Sequence, residues 1–258
     1  LAGHLDSFYY ICAATEELAR FRKVQTETPD KSTDIDIPDD HTIVFSGVIT
    51  EKYNQEMEIN LQIPDRGNFR IDGNLLCLQR ISDLLRRNET PESGLITIGG
   101  YDIAETRKQA LRAGVRVIDR ITVPPLTIRE YLNLYNRSGG RYSRQQALSF
   151  VNLDDEVALL ENGMDTLLSR GGSPLSQPQI IKLKLASAII SEPAILVLED
   201  IVDSVDSDTM ISVLGVTREL GMTVLYFTHR ANLRGFDHLM HLEPRRQSIQ
   251  VLDQGEAP

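Results

Sequence analysis

The feature that most constrains this chain is the unbroken run of five apolar residues from Ala194 to Leu198. A continuous apolar run of this length is typical of a strand that is buried on both faces of a parallel sheet. Patterns typical of helices flank it at 177–191 and 207–219, and a second apolar run spans 222–228. Because parallel strands need crossover connections, this alternation predicts an α/β fold with right-handed βαβ units in the second half of the chain.

Strands are predicted to come first in the globular part. The segments 42–50 and 57–63 have strand-like patterns and are expected to pair antiparallel. Further elements are predicted as a strand at 68–71, a helix at about 77–87, strands at 94–100 and 114–119, a largely polar helical stretch at 127–168, and strands at 238–242 and 248–252.

The N-terminal region has a different character. Residues 3–22 show near-helical spacing of apolar residues, and 23–40 is polar, acidic and contains proline, which predicts a helix followed by a linker. No segment has the roughly 20 apolar residues of a membrane helix, and no signal-peptide pattern is visible. Since the first residue is Leu and not Met, we expect the chain to be a piece of a longer protein.

Charge and cysteine content narrow the function classes. The chain of 258 residues carries a formal net charge of −10. This charge argues against a general nucleic-acid-binding or anionic-membrane surface. Two cysteines, Cys12 and Cys77, are too few for a disulfide framework, so a reducing compartment is expected.

Polar side chains follow two predicted parallel strands. Glu199 and Asp200 come directly after the first apolar run, and Thr228 and His229 end the second. In an open parallel sheet, ligands bind beyond the carboxyl ends of the strands. One acid would then hold Mg²⁺ and the other would orient an attacking water. The alternative is that these residues are polar only because the strands end at solvent.

A longer stretch, 171–209, closely resembles the ATP-binding subunits of ABC transporters. The resemblance is carried by LSQPQ at the place of the family's signature, ILVLED at its Walker B strand, DSVD at its D-loop, and His229 at its switch histidine. The segments MDTLLSRGGSPLS and TIREYL are similar to the exporter branch of the family. The resemblance extends from about residue 41 to the last residue.

This resemblance implies a P-loop NTPase-like ABC ATPase fold with a parallel core sheet, an N-terminal antiparallel β part and a helical subdomain at about 127–178. It implies a connector helix at 1–22 that follows a membrane domain, a linker at 23–40 and an ABC ATPase-like domain at 41–258. The expected partners are a membrane domain, in the same or a partner chain, and a second ABC ATPase-like domain in a homo- or heterodimer, but no nucleic acid. The expected location is the cytoplasmic side of a membrane.

The family's phosphate loop, G-x-x-x-x-G-K-[ST], is where this chain departs most. The loop's glycines let backbone N–H groups converge on the phosphates, and its lysine neutralises them. Here the corresponding segment is GNLLCLQR, in which only Gly73 matches. Leu78 replaces the second glycine, Gln79 the lysine, and Arg80 the Mg²⁺-binding Ser or Thr. These changes predict loss of phosphate binding, with a rescue by the charge of Arg80 as the alternative.

The signature region has changed as well. Ser176 and Gln179 match the family, but Gln177 and Pro178 replace its glycines, and Pro178 has no N–H to donate. Ser176 is therefore predicted to cap the helix that follows, with Gln179 completing a capping box. The alternative is the family's role for this motif, a contact to the γ-phosphate of ATP held by the opposite subunit.

The remaining site positions also differ from the family. Glu199 stands where the Mg²⁺-binding Asp belongs, and Asp200 where the catalytic Glu belongs, so the two acids are inverted. Asp119 or Arg120 takes the place of the glutamine that contacts Mg²⁺ and the membrane part. Tyr53 is the nearest aromatic to the adenine-stacking position, one residue out of step.

These departures predict a degenerate nucleotide-binding domain of an ABC exporter. ATP binding is expected to be very weak or absent, hydrolysis absent, and the role structural or regulatory in transmembrane transport. No cofactor is expected. ATP and Mg²⁺ would be needed if the site still worked, with Asp200 and His229 in catalysis and Glu199 at the metal. The alternatives are an active, diverged ABC ATPase that powers export, and a nucleotide-independent protein-binding module of a secretion apparatus.

Overall fold

The computed structural model describes residues 37–52, 55–134 and 140–252. The predicted connector helix and residues 23–36 of the predicted linker lie outside this part of the chain, as does Tyr53. Ten strands are present, namely β1 (Ile43–Lys52), β2 (Gln55–Ile63), β3 (Gly67–Gly73), β4 (Ser93–Ile98), β5 (Tyr101–Asp102), β6 (Val115–Ile118), β7 (Ile195–Leu198), β8 (Thr223–Phe227), β9 (His238–Glu243) and β10 (Arg246–Val251) in the described residues.

The strands form two sheets of different character. The four-stranded sheet has the order β2-β1-β4-β5 and is antiparallel throughout. The six-stranded sheet has the order β10-β9-β3-β8-β7-β6, and all its pairings are parallel except the one between β9 and β10. The predicted antiparallel N-terminal part and the predicted parallel core sheet are both confirmed.

Seven helices connect the strands of the described residues. They are α1 (Leu75–Leu85), α2 (Lys108–Gly114), α3 (Ile128–Asn133), α4 (Arg144–Phe150), α5 (Asp154–Ala158), α6 (Gln177–Ser191) and α7 (Ser207–Glu219), with 3-10 turns at Gly163–Asp165 and Asp200–Ser204. The bounds predicted for α6 and α7 are confirmed, whereas α1 begins two residues before the predicted start. The polar stretch 127–168 consists of short helices in its described residues.

The parallel sheet separates two apolar cores because successive side chains of a strand point to opposite faces. Leu196, Leu198 and Tyr226 pack into the core that contains α6 and α7. Ile195 and Val197 pack on the other face, with α1 and the antiparallel sheet. All five side chains are fully buried, and each burial of this kind contributes about 1.5–3 kcal/mol of transfer free energy. The unbroken apolar run of β7 follows from this two-sided burial.

Helix α6 is buried over most of its length, from Ile180 to Ile190. Two lysines in it are largely buried and direct their ammonium groups to backbone oxygens. Lys182 donates to Asn152 O at 3.1 Å, and Lys184 donates to Arg120 O at 2.5 Å. A helix that is apolar nearly all round is typical of the interior of an α/β domain. None of the helices in the described part of the chain has the length and apolar character that a membrane span requires.

Candidate functional site

The connection from β3 to α1 corresponds to the family's phosphate loop in the sequence resemblance. It is a single residue long. β3 ends at Gly73 and α1 begins at Leu75, so only Asn74 lies between them. The Asn74 side chain caps the helix by accepting a hydrogen bond from the backbone N–H of Leu76 at 2.9 Å. The N–H of Cys77 donates to Asn74 O at 3.0 Å. Leu75 and Leu76, which precede the predicted start of the helix at about Cys77, are therefore helical too, because leucine is a good helix former and Asn74 is a favourable N-cap.

Gly73 is required here by the neighbouring strand. Its φ is +98°, and a Cβ at this position would overlap the carbonyl oxygen of Leu242 in β9. Asn74 N donates to the same oxygen at 2.7 Å. The close approach of β3 to β9 thus explains a glycine at this position without any ligand.

Gln79, at the position of the family's lysine, is bonded to an acid of the Walker B strand. Its side-chain amide donates to Glu199 Oε2 at 2.8 Å. Glu199 is only 7% exposed, and this burial raises the pKa of its carboxyl above the ordinary value. The negative charges of Asp119 and Asp200 act in the same direction, while the hydrogen bond from Gln79 opposes them. The Gln79–Glu199 contact joins α1 to the end of β7.

Arg80 makes contacts within the chain, which differ from the phosphate contact that the alternative interpretation requires. The residue is only 6% exposed, and its guanidinium reaches the hairpin formed by β1 and β2. It donates to Gln55 O at 2.9 Å, to Lys52 O at 3.1 Å and to Thr50 O at 3.3 Å. These three carbonyls lie at the end of β1 and the start of β2. The structure therefore gives Arg80 the role of holding the hairpin against α1.

Asp119 and Arg120 form an ion pair directly after β6. Arg120 donates to the two Asp119 oxygens at 2.9 and 2.5 Å. Burial alone would raise the pKa of Asp119, but these hydrogen bonds and the nearby positive charges leave it below the ordinary value. Burial also lowers the pKa of the Lys184 ammonium to about 8. The pair contributes to one cleft of about 280 Å³ that Gln79 and Glu199 also line.

The two candidate catalytic residues, Asp200 and His229, are exposed, and neither is among the residues that line this cleft. Asp200 begins the 3-10 turn after β7, and His229 follows β8. The His229 ring meets Phe227 edge-on, with 5.3 Å between ring centroids. Among the described residues, no hydrogen bond or ion pair connects Asp200 to His229, and no group of three or more His, Cys, Asp or Glu is arranged to hold a metal ion.

Asp203, which the family resemblance places in the D-loop, makes contacts at this edge that the sequence did not predict. Its carboxylate accepts hydrogen bonds from the Tyr226 hydroxyl and the Thr228 hydroxyl, both at 2.7 Å, and from His229 N at 3.0 Å. The sequence signal for these contacts is Tyr226 within a mostly apolar strand, because a buried phenol needs a hydrogen-bond partner.

The signature segment begins α6 as predicted. Ser176 is the N-cap residue, and its backbone N–H donates to Gln179 Oε1 at 2.8 Å, which is one half of a capping box. Pro178 lies in the first turn, where a missing N–H costs nothing. The capping prediction is confirmed for Ser176.

Comparisons with known proteins place these observations in a wider context. No family model matches the chain. The chain is 29% identical over 164 residues to the ATP-dependent lipid A-core flippase of Burkholderia orbicola (strain AU 1054), which covers 62% of this chain and 28% of the flippase. It is 26% identical over 246 residues to the glutathione/L-cysteine transport system ATP-binding/permease protein CydC of Escherichia coli (strain K12), covering 90% of this chain and 41% of that protein. The chain thus spans less than half the length of these relatives.

A solved structure has a fold similar to that of this chain. A bacterial Atm1-family ABC exporter with ATP bound superposes with a TM-score of 0.75 and 21% sequence identity, covering 90% of this chain and 43% of the exporter chain. The predicted fold class is therefore confirmed. The chain has the ABC ATPase-like fold that this exporter contains, and its sequence is similar to parts of the flippase and the ATP-binding/permease protein described above.

Proposed function

We propose that this chain is a degenerate nucleotide-binding domain of an ABC exporter, which binds ATP very weakly or not at all and does not hydrolyse it. Its role is structural or regulatory in transmembrane transport. The observation that carries the proposal is the one-residue connection between β3 and α1.

The geometry of this connection supports the proposal. A phosphate loop binds its ligand through several backbone N–H groups that converge on the phosphates. Here the amides of Leu76 and Cys77 are already bonded to Asn74, and Leu76 places an apolar side chain at the cleft. The residues of this segment do not fit a triphosphate chain.

The charge at the cleft supports it further. Gln79 is neutral, and its amide is engaged by Glu199. The guanidinium of Arg80 is engaged by three carbonyls of the β1–β2 hairpin. Neither side chain presents a free cation to a phosphate. Another cation that lines the cleft, Arg120, is paired with Asp119.

The proposed partners follow from the relatives. One of them is an ATP-binding/permease protein, of which this chain spans 41%. We therefore include in the proposal a membrane domain, in the same or a partner chain, a second ABC ATPase-like domain, and a location on the cytoplasmic side of a membrane.

Calorimetric titration of the full chain with Mg-ATP tests the proposal. We expect no saturable heat at millimolar nucleotide. A dissociation constant below about 100 μM, equivalent to roughly 5.5 kcal/mol of binding free energy, would contradict it. The Gln79→Lys variant is a useful companion. A lysine alone does not rebuild the loop, so we expect this variant to bind no more tightly than the wild type.

A second candidate, an active but diverged ABC ATPase, has one observation in its favour. Asp200 and His229 are exposed at the ends of the neighbouring strands β7 and β8. Mg-ATP turnover by the full assembly, abolished by both Asp200→Asn and His229→Ala, would support this candidate. Absence of turnover in that assembly would reject it.

A further inference from the structure

The loops after β7 and β8 are joined through one carboxylate. Asp203 lies in the 3-10 turn that follows β7, while its three hydrogen-bond donors lie at the end of β8 and directly after it. Arg230 adds to the connection. Its guanidinium donates to the backbone oxygens of Asp203 and Val205, and its Nε lies 3.7 Å from Asp203 Oδ1.

The partners of Asp203 are buried groups that need an acceptor. Tyr226 is fully buried within β8, and Thr228 is only 3% exposed. A hydroxyl that is withdrawn from water without a partner is strongly unfavourable. Burial raises the pKa of Tyr226, so the phenol keeps its proton and acts as a donor. A carboxylate that accepts from several donors makes charge-assisted bonds, which are stronger than neutral ones.

We propose that Asp203 holds the loops after β7 and β8, residues 200–206 and 228–230, in one fixed arrangement without any ligand. We call the hydrogen bonds that Asp203 accepts across these loops the lock. It fixes the backbone on which Asp200 and His229 are carried, so these two side chains do not move independently. The proposal concerns the fold of this edge and does not depend on whether nucleotide binds.

Two substitutions weaken the lock while preserving the shape of the site. Asp203→Asn keeps one oxygen acceptor but replaces the other with an NH₂ group, which cannot accept from a donor, and removes the charge. Tyr226→Phe keeps the ring in the core and removes only the buried hydroxyl. Asp208→Asn is the matched control, because Asp208 is exposed in the first turn of α7.

Hydrogen exchange of the full chain in the absence of nucleotide measures the lock. In Asp203→Asn we expect the amides of 200–206 and 228–230 to exchange about tenfold faster, because local opening no longer breaks charge-assisted bonds. The His229 amide resonance should also shift upfield as its carboxylate acceptor is lost. Tyr226→Phe should accelerate the same amides by a smaller factor, and Asp208→Asn should leave them unchanged.

The outcomes separate clearly. Wild-type exchange at these amides in both Asp203→Asn and Tyr226→Phe would overturn the inference. Uniform acceleration over all strands in both variants would overturn it too, because Asp203 would then contribute only to global stability. Because hydrogen exchange is measured without nucleotide, a negative result there would not contradict the proposed function. Tight Mg-ATP binding would contradict the proposed function but not the inference about Asp203.

Discussion

The connection between β3 and α1 and the edge formed by the ends of β7 and β8 have diverged in opposite ways. At the β3–α1 connection the family's residue types are replaced, and the replacements have partners within the chain: Asn74 caps the helix, Gln79 binds Glu199 and Arg80 holds the β1–β2 hairpin. At the edge, an acid and a histidine are present at the family's positions. Yet Asp200 and His229 are exposed, and their loops are held by Asp203.

The difference shows that a residue type typical of the family does not by itself indicate the family's role, and that a replaced residue can have a structural role instead. At the connection, the retained Gly73 and the residues that replace the family's types all have structural roles, so replacing them should destabilise the fold. At the edge, familiar residues contribute little to packing, so replacing them should leave the fold intact. Stability measurements on the two regions therefore sharpen or break the comparison.

The largest effect is expected at Gly73. In Gly73→Ala the new Cβ overlaps the Leu242 carbonyl at a φ of +98°, so we expect a loss of about 3 kcal/mol or more in the free energy of unfolding. Gly100→Ala is the matched control, because Gly100 has a φ of +83° with no atom within 4 Å of the added Cβ. It should cost about 1 kcal/mol, the backbone strain alone. Equal losses in denaturant unfolding would show that β9 does not require the glycine.

Arg80→Ala is expected to follow, with a loss of about 3 kcal/mol. The change removes a buried guanidinium and leaves the carbonyls of Thr50, Lys52 and Gln55 without their donor. Thermal and denaturant unfolding measure the effect. Arg246→Ala, on the exposed side of β10, is the control and should stay within about 0.5 kcal/mol of the wild type. A loss no larger than the control's would contradict the assigned role of Arg80.

Glu199→Gln is expected to stabilise the protein at pH 7, because burial disfavours the charged form of the Glu199 carboxyl and raises its pKa. The folded-state pKa is raised above the unfolded one. The contribution of the protonated carboxyl is therefore fully present below the unfolded pKa of about 4.3 and is lost as the pH rises through the folded pKa. The gain from the substitution should accordingly vanish in acid.

Asp119→Asn is the contrasting variant for that pH series. Its folded-state pKa is lowered, so the stability that its ionised form contributes is present above the unfolded pKa and lost as the pH falls through the folded one. Unfolding curves between pH 3 and 8 should therefore show opposite slopes for the two variants, relative to the wild type. Parallel curves would contradict the burial assigned to Glu199.

The smallest effects are expected at the edge. Asp200→Asn and His229→Ala should each change the free energy of unfolding by less than about 0.5 kcal/mol, because both side chains are exposed. A loss above 1 kcal/mol in thermal unfolding of either variant would show that the edge residues are structural too, and the comparison of the two regions would fail.

Much of the fold was predictable because its signals are local. The apolar runs of β7 and β8 reflect burial on both faces of the sheet, and α6 and α7 carry clear start signals in Ser176 and Asp206. The place of β3 between β8 and β9 was not predictable, because strand order depends on packing between segments far apart in the sequence.

The contacts of the candidate site were less predictable than the fold. Glu199 and Gln79 were assigned to the site separately through the family resemblance, and they line one cleft. The helix begins at Leu75, two residues before the predicted start, because Asn74 acts as its N-cap. The target of Arg80 and the partners of Asp203 depend on pairing across 23 or more residues, which no local pattern specifies.

The central claim, that the β3–α1 connection does not bind the phosphates of ATP, is tested most directly at the amides of residues 74–80. Their resonances in the full chain can be followed by NMR as Mg-ATP is added to about 1 mM, a concentration that would occupy most of any site with a dissociation constant below about 100 μM. The account predicts that these resonances do not move. Saturable shifts at Asn74, Leu76 or Gln79, with such a dissociation constant, would contradict it.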